Sequence, residues 1–184
     1  MQHSTVHPAS GRFQFAAIFS EQGDVADKVI EQVILQLQNE GKNVAGFCQQ
    51  SSFYTRTDCA SRVVNIENGS TFKLSQATDA NAVSSRLDTS TLGQTAEILL
   101  KRLNNETDAV TINRFGHYES DGDGFCCVIN RAMELNIPLL TVVHSRWQQR
   151  WHDFAPGQMT TLRPSYGCVL KWCHAAMLRS HGVN

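Results

Sequence analysis

The sequence predicts a three-layer α/β/α domain built on a mostly parallel sheet, and three observations point to it. Short apolar, β-rich runs alternate with longer segments of helical period along most of the chain. The first such run, the helix behind it and the second run make a strand–loop–helix–strand unit, the mark of a parallel pair joined by a crossover. One hairpin signal, Asn68-Gly69 between residues 63–66 and 71–74, interrupts the rhythm after the second strand and reads as an insertion.

Each element has its own justification. Residues 1–12 are polar and are expected to be a flexible tail, leaving 13–184 as a single domain. Residues 13–19 (FQFAAIF) read as a buried strand. After the loop at 20–23, Asp24 is a good N-cap, with Asp27 in the capping-box position. Val25, Val29, Val33 and Leu37, joined by Ile30 and Ile34, trace one helical stripe that Gly41 closes. Residues 44–48 (VAGFC) form the second strand, and the polar stretch 75–90 reads as a loop. A helix over 91–103 keeps Leu92, Ala96, Leu99 and Leu103 on one face. A strand at 108–113, a glycine-rich loop at 114–124, a helix at 125–135 and a strand at 137–143 follow, Pro138 being tolerated near a strand start. A short helix at 146–151, a last strand opening at Leu162 and a helix at 165–178 complete the series.

Composition bounds the function. The chain has 184 residues, a formal net charge of −1, 41% hydrophobic and 18% charged residues, which suits one domain with its own core and excludes a disordered or rod-like chain. The near-neutral balance argues against a nucleic-acid partner. No run approaches the ~20 apolar residues of a membrane helix. Met1 to Gly11 lacks the apolar stretch of a signal peptide, so a cytoplasmic protein with reduced cysteines is expected. The six cysteines lack the spacing of a zinc site and read as small buried thiols, so no metal ligands are assigned. Trp147, Trp151 and Trp172 read as core anchors, because basic patches do not interleave with them. From residue 146 onward five cations face one acid, whereas 106–123 carries five acids and one cation. The two could meet within one fold or across a homo-oligomer surface.

In parallel α/β sheets ligands bind beyond the carboxyl ends of the strands, which selects three loops. The first holds Ser20, Glu21, Gln22, Gly23 and Asp24, where a phosphate-binding loop would sit. It has one glycine, and Lys28 lies a full turn too late for the phosphate-binding role. Ordinary capping accounts for Asp24 and Asp27. The second follows the strand at 108–113 and holds Asn113, Arg114, Phe115, Gly116, His117, Glu119, Gly122 and Gly124. It could be a turn with solvated acids, or an anion or nucleotide site in which Arg114 faces phosphate and Glu119 holds a water or Mg²⁺. A calcium loop over Glu119, Asp121, Asp123 and Gly124 fails at its twelfth position, Asn130. The third offers His144 and Arg146. Isolated histidines at strand ends, His117 and His144 among them, are commonly hydrogen-bonded surface residues. No Ser-His-Asp triad, HExxH or dinucleotide fingerprint is present.

FAAIFSEQGDVADKVIEQV, GKNVAGFCQ, CASRVVNIENGSTFKLSQ, TINRFGHYESDGDGF, IPLLTVV and W-x6-F, spanning residues 14–173, resemble a bacterial family of unknown function found beside molybdate-transport genes. That family is in turn similar to P-loop nucleotide phosphatases, in which a strand ending Asp-Glu precedes Ile-Gly-x-Met-Glu. Here Asn113 and Arg114 stand where the acidic pair would help hold Mg²⁺, and the first loop lacks the phosphate-binding lysine. The resemblance implies a P-loop-like fold with a degraded phosphate loop, a nucleotide or oxyanion as partner, Mg²⁺ as a possible cofactor and an accessory role near molybdate uptake. A hydrolase using Glu119 and a protein-interaction module without a small ligand are the two alternatives.

Overall fold

Strict alternation in the first apolar run sets up a sheet covered on both faces. Phe15 and Ala17 point into one core and Ala16 and Ile18 into the other. The computed structural model describes residues 14–21, 23–49, 62–77, 85–154 and 159–180. Its strands are β1 (Phe15–Phe19), β2 (Val44–Gln49), β3 (Arg62–Asn65), β4 (Thr71–Lys73), β5 (Ser75–Ala77), β6 (Ser85–Leu87), β7 (Ala109–Phe115), β8 (Leu139–Val143) and β9 (Met159–Leu162). Its helices are α1 (Gly23–Asn39), α2 (Thr89–Arg102), α3 (His117–Ser120), α4 (Cys126–Glu134), α5 (Gln148–Phe154) and α6 (Tyr166–Ser180).

Seven strands form one sheet in the order β4-β3-β2-β7-β8-β1-β9. The five from β2 to β9 are parallel, and β3 and β4 extend the β2 edge antiparallel. Helices α1 and α6 cover one face through Val29, Val33, Leu37, Val169, Trp172 and Ala176. On the other, α2, α4 and α5 bury Leu92, Leu99, Val128, Ile129 and Trp151. This is a three-layer α/β/α architecture, compatible with a P-loop-NTPase-like fold.

Local chemistry explains the element ends. Gly41 closes α1 with φ +75° while Lys42 N–H reaches Leu37 O at 2.9 Å and Gly41 N–H reaches Gln38 O at 2.9 Å, a Schellman pair. Helix α2 starts two residues earlier than the apolar stripe suggests, because Asp88 accepts from Ser90 N at 3.0 Å and Thr91 N at 3.1 Å. Gly46, at φ +143°, lies so close to Thr111 that an added Cβ would collide with its carbonyl oxygen, so glycine lets β2 and β7 pair there.

Three expectations need correction. The stretch 75–90 is not all loop: β5 and β6 pair antiparallel in a separate two-stranded sheet. Helix α1 begins at Gly23, so Asp24 is inside the helix and is not its N-cap. The buried-thiol reading holds for Cys126 and Cys173 but fails for Cys127 and Cys168, which are exposed. The expected tail at 1–12 and Cys59 lie outside the described residues. No helix among the described residues is long and apolar enough to cross a membrane.

Candidate functional site

Parallel pairing brings three strand ends to one rim. Phe19 and Phe115 each pair with Val143, and Ser20 N–H donates to Val143 O at 3.1 Å. The loops after β1, β7 and β8 therefore leave the same edge of the sheet, with β8 in the middle, so the three loops chosen from sequence share one end of the molecule.

The first loop leads into the amino end of α1, a 17-residue helix whose opening N–H groups carry the positive end of its dipole. Glu21 is exposed, Gln22 lies outside the described residues, and of Gly23 and Asp24 only the helical backbone is described. One turn along, Asp27 is buried, and its Oδ2 accepts from Arg114 Nη2 at 2.6 Å. Asp27 is therefore no capping-box partner. Arg114 reaches it from β7, where the register with β8 shifts between Thr111 and Arg114. A bulge of this kind re-aims side chains. Asn113 sits within the same irregular stretch.

The second loop is organised by Glu119. Its Oε2 accepts from Gly116 N at 3.0 Å and its Oε1 from Phe125 N at 3.2 Å, closing the four-residue α3 and clipping it to the start of α4. Burial raises its pKa above 4.5, opposed by backbone N–H bonds, including those from Phe125 and Gly116. Gly124, at φ +58°, passes so close that a Cβ would collide with Glu119 Oε1. Gly122 also takes a left-handed φ of +93° in the same turn. Asp121 bonds Arg150 Nη1 at 2.7 Å and His117 Nδ1 at 3.1 Å. The acidic and basic stretches therefore meet within the fold. Both oxygens of Glu119 are engaged by the backbone and Asp121 is held by Arg150 and His117, so the loop does not gather them around Ca²⁺.

The third loop is a 3₁₀ turn, Ser145–Trp147, capped by His144, whose Nδ1 accepts from Arg146 N at 3.2 Å. Trp151 is fully buried between Phe15 and Phe115, with ring centroids at 5.8 and 4.9 Å, and Trp172 is buried under α6; both are core anchors. Trp147 is not. It is half-buried, stacks on His117 with centroids 5.8 Å apart and planes 13° apart, and has the Arg146 and Arg150 Cζ atoms over its ring at 5.5 and 5.7 Å. The sequence reading missed this cluster, although Arg150 stands at i+3 from Trp147, the helical spacing that brings two side chains together.

Fit to Mg²⁺ can be judged from the donors. Among the described residues no three His, Cys, Asp or Glu side chains converge as a metal group. Asp27 is bound to Arg114, and Glu119 to backbone N–H groups. The described residues therefore supply no carboxylate set for the ion.

The family described as "Protein of unknown function (DUF2478)" matches residues 15–172. The chain is also 24% identical over 159 residues to the molybdenum import ATP-binding protein ModC 2 of Bradyrhizobium diazoefficiens. That match covers 85% of this chain but only 18% of the relative's length. No solved structure matches.

Proposed function

The chain belongs to this family of unknown function, and from that premise we propose that it is a binding protein for the phosphate of a nucleotide or for an oxyanion, in an accessory or regulatory role linked to molybdate uptake. One observation carries the reading. The amino end of α1 and the Arg114 guanidinium reach the same carboxyl rim from β1 and β7, offering N–H donors and a cation to an anion. Asp27 neutralises Arg114 in the free protein and holds it in place. An anion would compete with that carboxylate, which favours reversible binding over a tight polyphosphate grip. The relative's ATP-binding and molybdenum-import name supports a nucleotide or molybdate as the anion.

Glu119 favours binding over hydrolysis. A residue that positions water must come within hydrogen-bond reach of it, whereas Glu119 is buried with each of its oxygens turned to a backbone N–H group. Calorimetric and melting titrations with ATP, GTP, tripolyphosphate and molybdate, with and without Mg²⁺, test the reading. Saturable binding of at least one of these anions, weakened roughly tenfold in Arg114→Met, is the expected result. No binding by any of them refutes it. Phosphate release that disappears in Glu119→Gln but survives in Lys101→Ala would replace it with the hydrolase.

A further inference from the structure

An anion between α1 and Arg114 leaves the cluster on the third loop unused. Trp147 is placed at the rim itself: a Cβ built on Gly116, the residue that follows β7, would lie 3.9 Å from its Nε1. The other two indoles are buried in the two cores, so Trp147 is the tryptophan presented at the surface. His117 backs it in a parallel stack. The two arginines over its ring differ in commitment. Arg150 is fastened to Asp121 Oδ1 at 2.7 Å and Ser120 Oγ at 3.2 Å. Arg146 is exposed, and its guanidinium makes no hydrogen bond among the described residues.

A half-buried indole covered by a guanidinium that makes no hydrogen bond is suited to a ligand with both an aromatic ring and a negative charge, whose ring would take that guanidinium's place on the indole. The ring stacks, and the cation meets either the π face or the phosphate. A bare oxyanion would use only the charge. The turn carrying both residues starts two residues after Val143, the point at which β1 and β7 also end, so it stands between the two phosphate loops.

We propose that Trp147, backed by His117, is a base-stacking platform and that Arg146 is its ligand-facing cation, so that the molecule bound at this rim is a nucleoside phosphate and not a bare oxyanion. The proposal rests on the anion-binding reading above and narrows it to one ligand class.

Calorimetry and intrinsic tryptophan fluorescence on the full chain, titrated in parallel with ATP, GTP and tripolyphosphate, separate the two ideas. The nucleotides should bind roughly tenfold or more tightly than tripolyphosphate, the gain that stacking one base supplies, and should quench the emission. Trp147→Leu and Arg146→Ala should each remove most of that advantage, and Trp147→Leu should leave tripolyphosphate binding unchanged. Trp147→Phe should keep most of it. Arg146→Ala carries the test at an exposed position even if Trp147→Leu melts early. Equal affinities for ATP and tripolyphosphate in the unmodified protein, or ATP affinity unchanged in Trp147→Leu and Arg146→Ala, overturn the platform and leave the anion site standing. Failure of all three probes to bind removes both.

Discussion

Replacing Arg114 by methionine keeps the side-chain bulk and removes the charge that faces Asp27. Breaking a buried ion pair from one side costs about 3–5 kcal/mol. Here the pair is lopsided: the Asp27 side chain is 2% exposed, whereas that of Arg114 is 31% exposed. Water reaches the guanidinium, and Asp27 keeps further interactions beyond this one. A loss of about 2 kcal/mol is the discounted expectation, a fall in Tm of about 4–8 °C for a chain of this size. Urea unfolding of the parent, Asp27→Asn, Arg114→Met and the double variant gives the coupling, expected at about 1–2 kcal/mol. Anion titration of the same four proteins adds the functional half. Arg114→Met should bind tripolyphosphate roughly tenfold more weakly, the worth of one charge-assisted contact. Asp27→Asn, although also less stable, should bind it as well as the parent or better, because its arginine no longer has a competitor. Additive stabilities, or equal losses of anion affinity in the two single variants, would refute the idea that the pair holds an anion-binding arginine in place.

Three further outcomes follow from the second loop and the thiols. Gly124→Ala should cost about 2–4 kcal/mol in urea unfolding, from the left-handed φ and the displaced Glu119 bond together; a cost under 1 kcal/mol would mean that the loop does not close on Glu119. Because burial raises the folded-state pKa of Glu119, its stabilising contribution is complete below 4.5 and is eroded as pH climbs from there through the raised value. The stability gap between the parent and Glu119→Gln should therefore widen as pH is lowered toward 4.5, and a gap that widens on raising the pH contradicts the assignment. Burial pushes the Cys48 thiol up to about 11 and that of Cys173 up to about 12, while Cys127 and Cys168 are exposed. Iodoacetamide at pH 8, read by peptide mass, should label Cys127 and Cys168 in the native protein and Cys173 only after unfolding.

The elements that sequence made visible are those whose signal is local. The alternation in FAAIF, the α1 stripe with its Gly41 stop and the all-apolar LLTVV of β8 each state period and boundary within a few residues. The β5–β6 pair was not legible, because Ser75–Ala77 and Ser85–Leu87 become strands only by finding each other. The site divided along the same line. That three loops share one rim follows from parallel connectivity and was readable. That Asp27 serves Arg114 was not: 87 positions separate them, and a helical Asp near an N-terminus has a simpler local explanation in capping. Glu119 looked like a free acid because nothing in HYESDGDGF says that the turn folds back around it. Trp147 was grouped with Trp151 and Trp172 because residue type alone does not separate a core indole from one held at a strand end.

The position of β1 between β8 and β9 has a consequence for biosynthesis. Its two neighbours in the sheet, β8 and β9, pair with Phe15 through Leu139 and Met159, both far downstream in the chain. Neither of its edges is covered until β8 has been made, so the growing chain carries an unpaired hydrophobic ribbon while the whole stretch between them is synthesised.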